Sequence, residues 1–356
     1  MTASPSVILS IGGRRFDGWK SVAIERRLDA LCGAFSLGLT ERWPGQAERW
    51  RIEAGDACRL EVDGEVLMTG WVGRARYQLS PTAHPLEISG ADRTIDLVDC
   101  SAIHSPGFWL NRTIDQIAAD LARPFGIGVR AEAPVGSPFA RFGLEPGESV
   151  LTAIERMAVL RGLLATTDAA GDLVLTRPSQ QAASFILAEG ELIQDVIFDN
   201  DVADRFSRYV IKGHDASDES AGSAAARPSG EAADSGVRRH RPLLIVADEA
   251  VSTATLAATA RWEASVRAAR AQTVTVMVGG WRTPAGDLYR PNVIVPIRAP
   301  TVGIEADLLV SGVRYVRSAT QGSRTELTLV RPESYSLKPV EAAAGRRTAA
   351  APPQTR

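Results

Sequence analysis

Residues 55–93, GDACRLEVDGEVLMTGWVGRARYQLSPTAHPLEISGADR, decide the fold, because residues 289–334, YRPNVIVPIRAPTVGIEADLLVSGVRYVRSATQGSRTELTLVRPES, repeat their pattern. Each stretch reads as strand, turn, strand, then a glycine-containing strand with basic and tyrosine residues, at 70–77 and again at 311–317. A short polar loop follows, and then a final alternating strand, at 86–90 and 326–330. Two related β modules far apart in one chain predict a duplicated scaffold. Neither copy carries an obvious catalytic side chain, so the repeat points to architecture rather than chemistry.

Outward from that repeat, residues 5–98 read as all-β. Val7/Leu9/Ile11, Phe35/Leu37/Leu39 and Cys58/Leu60/Val62 alternate with period two, as half-buried strands must. Asp63-Gly64 signals a two-residue hairpin, because a type I′ turn needs positive φ at both centres. Gly12-Gly13 marks another turn, and many short strands without helices predict a barrel or sandwich. The pattern changes near Asp99. Thr113-Ile-Asp-Gln116 is a capping box ahead of a helix with Ile114, Ile117, Ala118 and Leu121 on one face, stopped by Pro124 and Gly126. A second helix spans Ser149 to Gly162, and residues 163–176 form a hairpin around Asp168 to Asp172.

Strands return from about Ser184, including 195–198 and 207–212. Residues 214–241 hold few large apolar groups and cannot offset their ordering entropy, which predicts a mobile loop. Asp248 is placed to cap a helix to about Ala271, with Val251, Leu256, Trp262 and Val266 among its apolar positions. The expected fold is mainly β with α+β inserts: two similar antiparallel β-barrel modules plus two smaller helix-containing domains. The first barrel module takes 1–98 and the α+β insert domain 99–180. The second barrel module takes 181–213 and 272–336, interrupted by a flexible loop and helical insert domain at 214–271. A disordered tail is expected at 337–356.

At 356 residues, 45% of them hydrophobic and 23% charged, the chain has the composition of a soluble globular protein with several cores. No apolar run is long enough for a membrane-spanning helix, and the N-terminus lacks the pattern of a secretory signal. Cys32, Cys58 and Cys100, odd in number and widely spaced, fit reduced thiols and cytoplasmic synthesis. A net charge of −2 argues against a nucleic-acid binder. Positive charge is nearly all arginine, with Lys20, Lys212 and Lys338 as the lysines; arginine suits interface ion pairs, but a high-GC genome gives the same bias and is the favoured reading.

Chemistry is hard to find. Cys100 and His104 have a CxxxH spacing, but zinc wants three or four ligands, and a buried thiol beside a loop histidine explains the pair. Asp92, Asp96 and Asp99 cluster beside Arg93, where turn capping and an ion pair compete with acid–base work. His84, His214 and His240 stand alone in polar loops, and no nucleotide, metal or nucleophile motif occurs. No enzyme activity, metal or cofactor is expected. The aromatic turn GGWRTPAGDLYRPN, residues 279–292, is the candidate site. It reads either as a plug at a barrel end or as an inter-subunit contact, with Trp281, Tyr289 and Pro291 the candidate contact residues. Pro296 removes a ladder donor and places its strand at an edge or bulge, which invites a covering loop or another chain.

The segments ISGADRTIDLVDCS, RTIDQIAADLARPFGI, SVLTAIERMAVLRGLLATTDAAGDLVLTRP and WRTPAGDLYRPNVIVPIRAP…ADLLVSGVRYVRS…GSRTELTLVRPESY resemble the Mu-type contractile phage baseplate hub family, tail protein P. The resemblance runs from about residue 5 to 336 in consistent order, apart from 214–241. It implies a virion structural protein of the tail baseplate, made and assembled in the host bacterial cytoplasm. Two β-barrels per subunit in a homotrimer give a ring of six barrels, which links the sixfold tail tube to a threefold central spike and leaves a lumen for DNA. The partners implied are the spike, the tail tube and other baseplate proteins. Near-neutral charge suits a channel that DNA must cross without sticking. The same ring serves phage-derived injection or secretion particles, and a tail-associated cell-wall hydrolase is the rival from another class.

Overall fold

In the first half of the chain, short alternating runs become β1 (Val7–Ile11), β2 (Arg14–Phe16), β3 (Ser21–Arg27), β4 (Ala34–Thr40), β5 (Ala57–Val62), β6 (Glu65–Tyr77) and β7 (Pro85–Asp92). The computed structural model describes residues 4–40, 51–78, 85–213, 228–247, 252–336 and 338–339. The alternating residues Val7, Leu9, Phe35, Leu37, Leu39, Cys58, Leu60 and Val62 are buried, as period two requires. Asp63 and Gly64 take φ values of 51° and 84° and bring Val62 opposite Glu65, the hairpin read from the sequence.

An insert follows: α1 (Ile95–Asp99), β8 (Phe108–Arg112), α2 (Ile114–Ala122), β9 (Val129–Ala131), β10 (Phe139–Gly143), α3 (Val150–Arg161), β11 (Leu164–Thr167) and β12 (Leu173–Thr176). The Gln116 side chain accepts from the Thr113 amide at 3.3 Å, and Ser149 Oγ accepts from the Thr152 amide at 3.2 Å, so both helix starts are capped as expected. Ile114, Ile117, Leu121, Ile154 and Met157 bury their faces against Trp109, Phe142 and Leu173 in a separate core.

The remaining elements are β13 (Leu187–Ala188), β14 (Ile193–Asn200), β15 (Arg208–Lys212), β16 (Ser229–Ala233), β17 (Pro242–Val246), α4 (Thr253–Arg270), β18 (Gln272–Gly279), β19 (Ile294–Ala299), β20 (Ile304–Ser318) and β21 (Gly322–Val330). Thirteen strands form one sheet, in the order β14-β18-β21-β20-β3-β4-β7-β6-β5-β1-β2, with β19 on β20 and β13 on β19. The described strands show no closing pair between β14 and β2. Both modules feed one hydrophobic cluster, from Val7 and Leu9 to Leu327 and Leu329. The edge signalled by Pro296 is covered by β13, parallel to β19 at Ile297 and Arg298.

The repeat is visible in the backbone. β6 is bulged between Val72 and Arg74 against β7, and β20 is bulged between Val310 and Gly312 against β21. At the first bulge the Gly55 amide donates to the Val72 carbonyl at 2.7 Å, and the Val72 amide to the Asp56 carbonyl at 2.9 Å. At the second, Asn292 donates to Val310 at 2.8 Å, and Val310 to Val293 at 2.9 Å. Beyond the bulges, Arg76 meets Glu87 at 3.5 Å and Arg314 meets Glu326 at 3.8 Å.

The chain divides into two compact units, one of 1–201 with 269–335 and one centred on 202–268. The smaller unit holds β15 between antiparallel β16 and parallel β17, with Tyr209, Ile211, Leu256 and Ala260 as its core. Two sequence expectations change here. β15, assigned above to the second barrel module, pairs with β16 and β17, because a parallel partner more than 30 residues away leaves no local signal. Within the expected mobile loop 214–241, residues 229–233 form a strand whose Glu231 binds Arg208 at 2.7 Å, while Asp234 and Arg205 make a bidentate pair. Residues 214–227, Asp248 and Val251 lie outside the described residues, as do 337 and 340–356 of the tail. The Thr255 amide is capped by Ser252 Oγ at 3.3 Å, just before the start of α4.

Candidate functional site

The candidate chemical groups are dispersed, and Asp92, Asp96 and His104 serve structure. Cys100 is exposed rather than buried as expected, and His104 stacks on Trp109 with ring centroids 4.4 Å apart. The three aspartates diverge. Asp92 Oδ2 accepts from the Gly33 amide at 2.8 Å, and Asp96 accepts from Trp71 Nε1 at 3.1 Å. Asp99 is exposed, and the partner of Arg93 is Asp172 rather than any of the three. Among the described residues no cluster of His, Cys, Asp and Glu is placed to hold a metal. His84 and His214 lie outside them.

The aromatic turn packs inward. Trp281 and Tyr289 are 1% and 3% exposed. Trp281 donates Nε1 to the Val316 carbonyl at 3.1 Å and lies tilted on Tyr315 at 5.6 Å. Tyr289 meets Phe185 edge-on at 5.5 Å, and its carbonyl accepts the Tyr315 hydroxyl. Burial pushes the Tyr289 phenol up from its ordinary pKa. Arg282 reaches Asp63 at 3.2 Å and Arg290 reaches Glu65 at 2.5 Å, so the turn clips the second module to the Asp63-Gly64 hairpin of the first. Pro291 is half-buried on the wall of a cleft also lined by Arg26, Arg130 and Arg177.

Strand edges are the other candidate surface, and only the register of the repeat reveals them. β3 pairs with β4 on one side and with β20 on the other, setting Glu25 opposite Arg314 and Ile24 opposite Tyr315. β14 pairs along Ile197–Asn200 with β18 alone among the described residues, and Ile197 is 59% exposed. β6, from Gly73 to Arg76, pairs with β7 alone among them. Such edges are templates for another strand.

Three stretches of the chain match described families. Residues 6–92 match the Mu phage baseplate assembly protein GpP-like N-terminal domain, 94–177 the baseplate hub protein gp44-like second domain, and 252–338 the GpP fourth domain. The baseplate hub protein gp44 of Escherichia phage Mu is 34% identical over 348 residues, 95% of this chain and 90% of that protein. The chain belongs to the Mu-type phage baseplate hub family. Among solved structures, the 43 kDa tail protein of prophage MuSo2 from Shewanella oneidensis has a TM-score of 0.85 at 31% identity, covering 93% of this chain and 99% of that one. A type VI secretion system component of E. coli has a TM-score of 0.54 at 11% identity, over 93% of this chain and 79% of that one, and so shares the fold alone. This hub protein is a structural component of a Mu-like tail baseplate, as the resemblance implied. No helix among its described residues is long and apolar enough to cross a membrane.

Proposed function

We propose that the hub acts as a homotrimer whose six β modules form a ring, each module completing a barrel, between the sixfold tail tube and the threefold central spike. DNA passes through the lumen, and assembly takes place in the host bacterial cytoplasm. The observation that carries this reading is the duplicated bulge, with Gly55–Val72 and Asn292–Val310 bonded alike. Two quasi-equivalent modules in each of three chains supply six similar positions for a sixfold neighbour and three identical ones for a threefold neighbour. The module order, 1–98, 99–180, and 181–201 with 272–335 interrupted by the smaller unit that holds β15, belongs to the same proposal. Of the three contact candidates, Pro291 has surface to offer a neighbour, whereas Trp281 and Tyr289 support it from within.

The hub does this work without catalysis. Asp92, Asp96 and His104 among its candidate groups are engaged by Gly33, Trp71 and Trp109. Purified hub mixed with the spike protein of the same tail is expected to co-elute as one complex, and to release no fragments from peptidoglycan. Separate elution at micromolar concentration contradicts the spike assignment, and reproducible peptidoglycan release contradicts the non-catalytic one.

A further inference from the structure

The two modules can be equated residue by residue from their pairing registers. Setting bulge on bulge makes Ala75, Arg76 and Tyr77 the counterparts of Val313, Arg314 and Tyr315. Carrying that register across the next two strands makes Ile197, Phe198, Asp199 and Asn200 of β14 the counterparts of Ala23, Ile24, Glu25 and Arg26 of β3.

Within one chain, the first module's β3 lies on the second module's β20. The reciprocal contact is missing among the described residues. β14, which corresponds to β3, has an open outer edge at Ile197–Asn200, and β6, which corresponds to β20, has one at Gly73–Arg76. Burial records the difference. Gly312 and Val313 are buried under β3, while Arg74 is exposed and Ala75 half-exposed. A contact that joins unlike edges of like modules leaves one complementary edge free at each end of the chain, and such an interface closes into a ring or grows into a filament.

We propose that β14 of one copy adds antiparallel to β6 of the next, repeating between chains the β3–β20 junction found within each. Transferring the register sets Arg76 opposite Asp199, as Arg314 stands opposite Glu25, and Ala75 opposite Asn200, as Val313 stands opposite Arg26. Phe198 comes to face Tyr77, as Ile24 faces Tyr315. The sign of charge is preserved at the central pair, with Glu87 flanking Arg76 as Glu326 flanks Arg314. Backbone hydrogen bonds supply the affinity of strand addition, and the charged and apolar pairs fix its register. The proposal deepens the trimer reading, on which it rests.

The pairing is tested with Arg76→Cys and Asp199→Cys together, in a chain whose exposed Cys100 is replaced by Ser. The within-chain Leu28 amide donates to the Ser311 carbonyl, so the Glu25–Arg314 pair falls at a non-hydrogen-bonded position, and its inter-chain counterpart has Cα atoms about 4.5 Å apart, within disulfide range. Oxidation is expected to give covalent dimers and trimers. Arg76→Cys with Asp195→Cys, displaced by about 13 Å along the strand, is expected to give none. As a second test, Arg76→Glu or Asp199→Arg alone is expected to raise the concentration for half-assembly about tenfold or more, and the two together to restore it. A particle of three chains that fails to cross-link in register, or cross-links equally out of register, overturns the pairing and leaves the trimer standing. A monomer by light scattering overturns both.

Discussion

The amide of Asn292 donates to the carbonyl of Val310 at 2.8 Å, from a residue held at φ +65°. Its counterpart in the first module is Gly55, at φ +95°, bonded to Val72 at 2.7 Å. One bulge thus uses glycine for the left-handed turn and the other uses asparagine. Asn292 adds what glycine cannot: Oδ1 accepts from the Ser179 amide at 2.7 Å, and Nδ2 donates to the Arg177 carbonyl at 3.0 Å. These two bonds tie the end of the insert to the second module.

Asn292→Ala removes both side-chain bonds and strains the backbone, an expected loss of about 3 kcal/mol in urea unfolding. Asn292→Gly removes the bonds without the strain and is expected to lose about half as much. Equal losses contradict the role assigned to the turn.

Asp92 gives the stability a pH dependence. Its carboxyl is 0% exposed, Oδ1 has no hydrogen-bond partner, and burial pushes its pKa up to about 7. The folded protein therefore holds this proton more tightly than the unfolded chain, whose aspartates titrate near about 3.9. The contribution is complete below that value and is lost as pH rises through about 7. Asp92→Asn, which keeps an acceptor for the Gly33 amide, is expected to gain about 2 kcal/mol on wild type at pH 8 and less at pH 5. A gain independent of pH in urea titrations contradicts this.

Trp281 separates plug from contact. With its ring on Tyr315 and its Nε1 on the Val316 carbonyl, Trp281→Ala is expected to cost about 4 kcal/mol of stability. Calorimetry reads this as a lowered Tm, with the solution mass of the surviving folded protein unchanged. A changed mass at unchanged Tm places the indole in an interface instead.

In the smaller unit, Arg205 and Asp234 form a bidentate pair at 2.5 and 2.9 Å, with side chains 14% and 8% exposed. The Arg205 guanidinium holds the Asp234 carboxyl below its ordinary range, so its stabilisation is present above about pH 4 and is lost as pH falls through the lowered value. Asp234→Ala leaves Arg205 uncompensated and is expected to cost about 3 kcal/mol, read as faster hydrogen exchange in β15, β16 and β17. Unchanged exchange there contradicts a structural role for the pair.

The sequence was most legible where the signal is local. Asp63-Gly64, the helix starts at Thr113 and Ser149, and the period-two strands follow from neighbouring residues alone. The repeat was legible because the pattern of 70–77 returns at 311–317. What is not legible in the sequence depends on distant partners. Nothing near Arg208–Lys212 announces the parallel strand Pro242–Val246, and nothing near Glu25 announces Arg314. The aromatic turn was visible as Trp, Arg and Tyr in one loop, but the direction of its rings is set by Phe185, Tyr315 and Val316, which lie far away in sequence.

The most direct test of the hub account is mass in solution, by light scattering behind size exclusion, with and without the spike protein. Three chains per particle, growing when spike is added, is the predicted result. A protein that stays monomeric across micromolar concentrations and ignores the spike contradicts it.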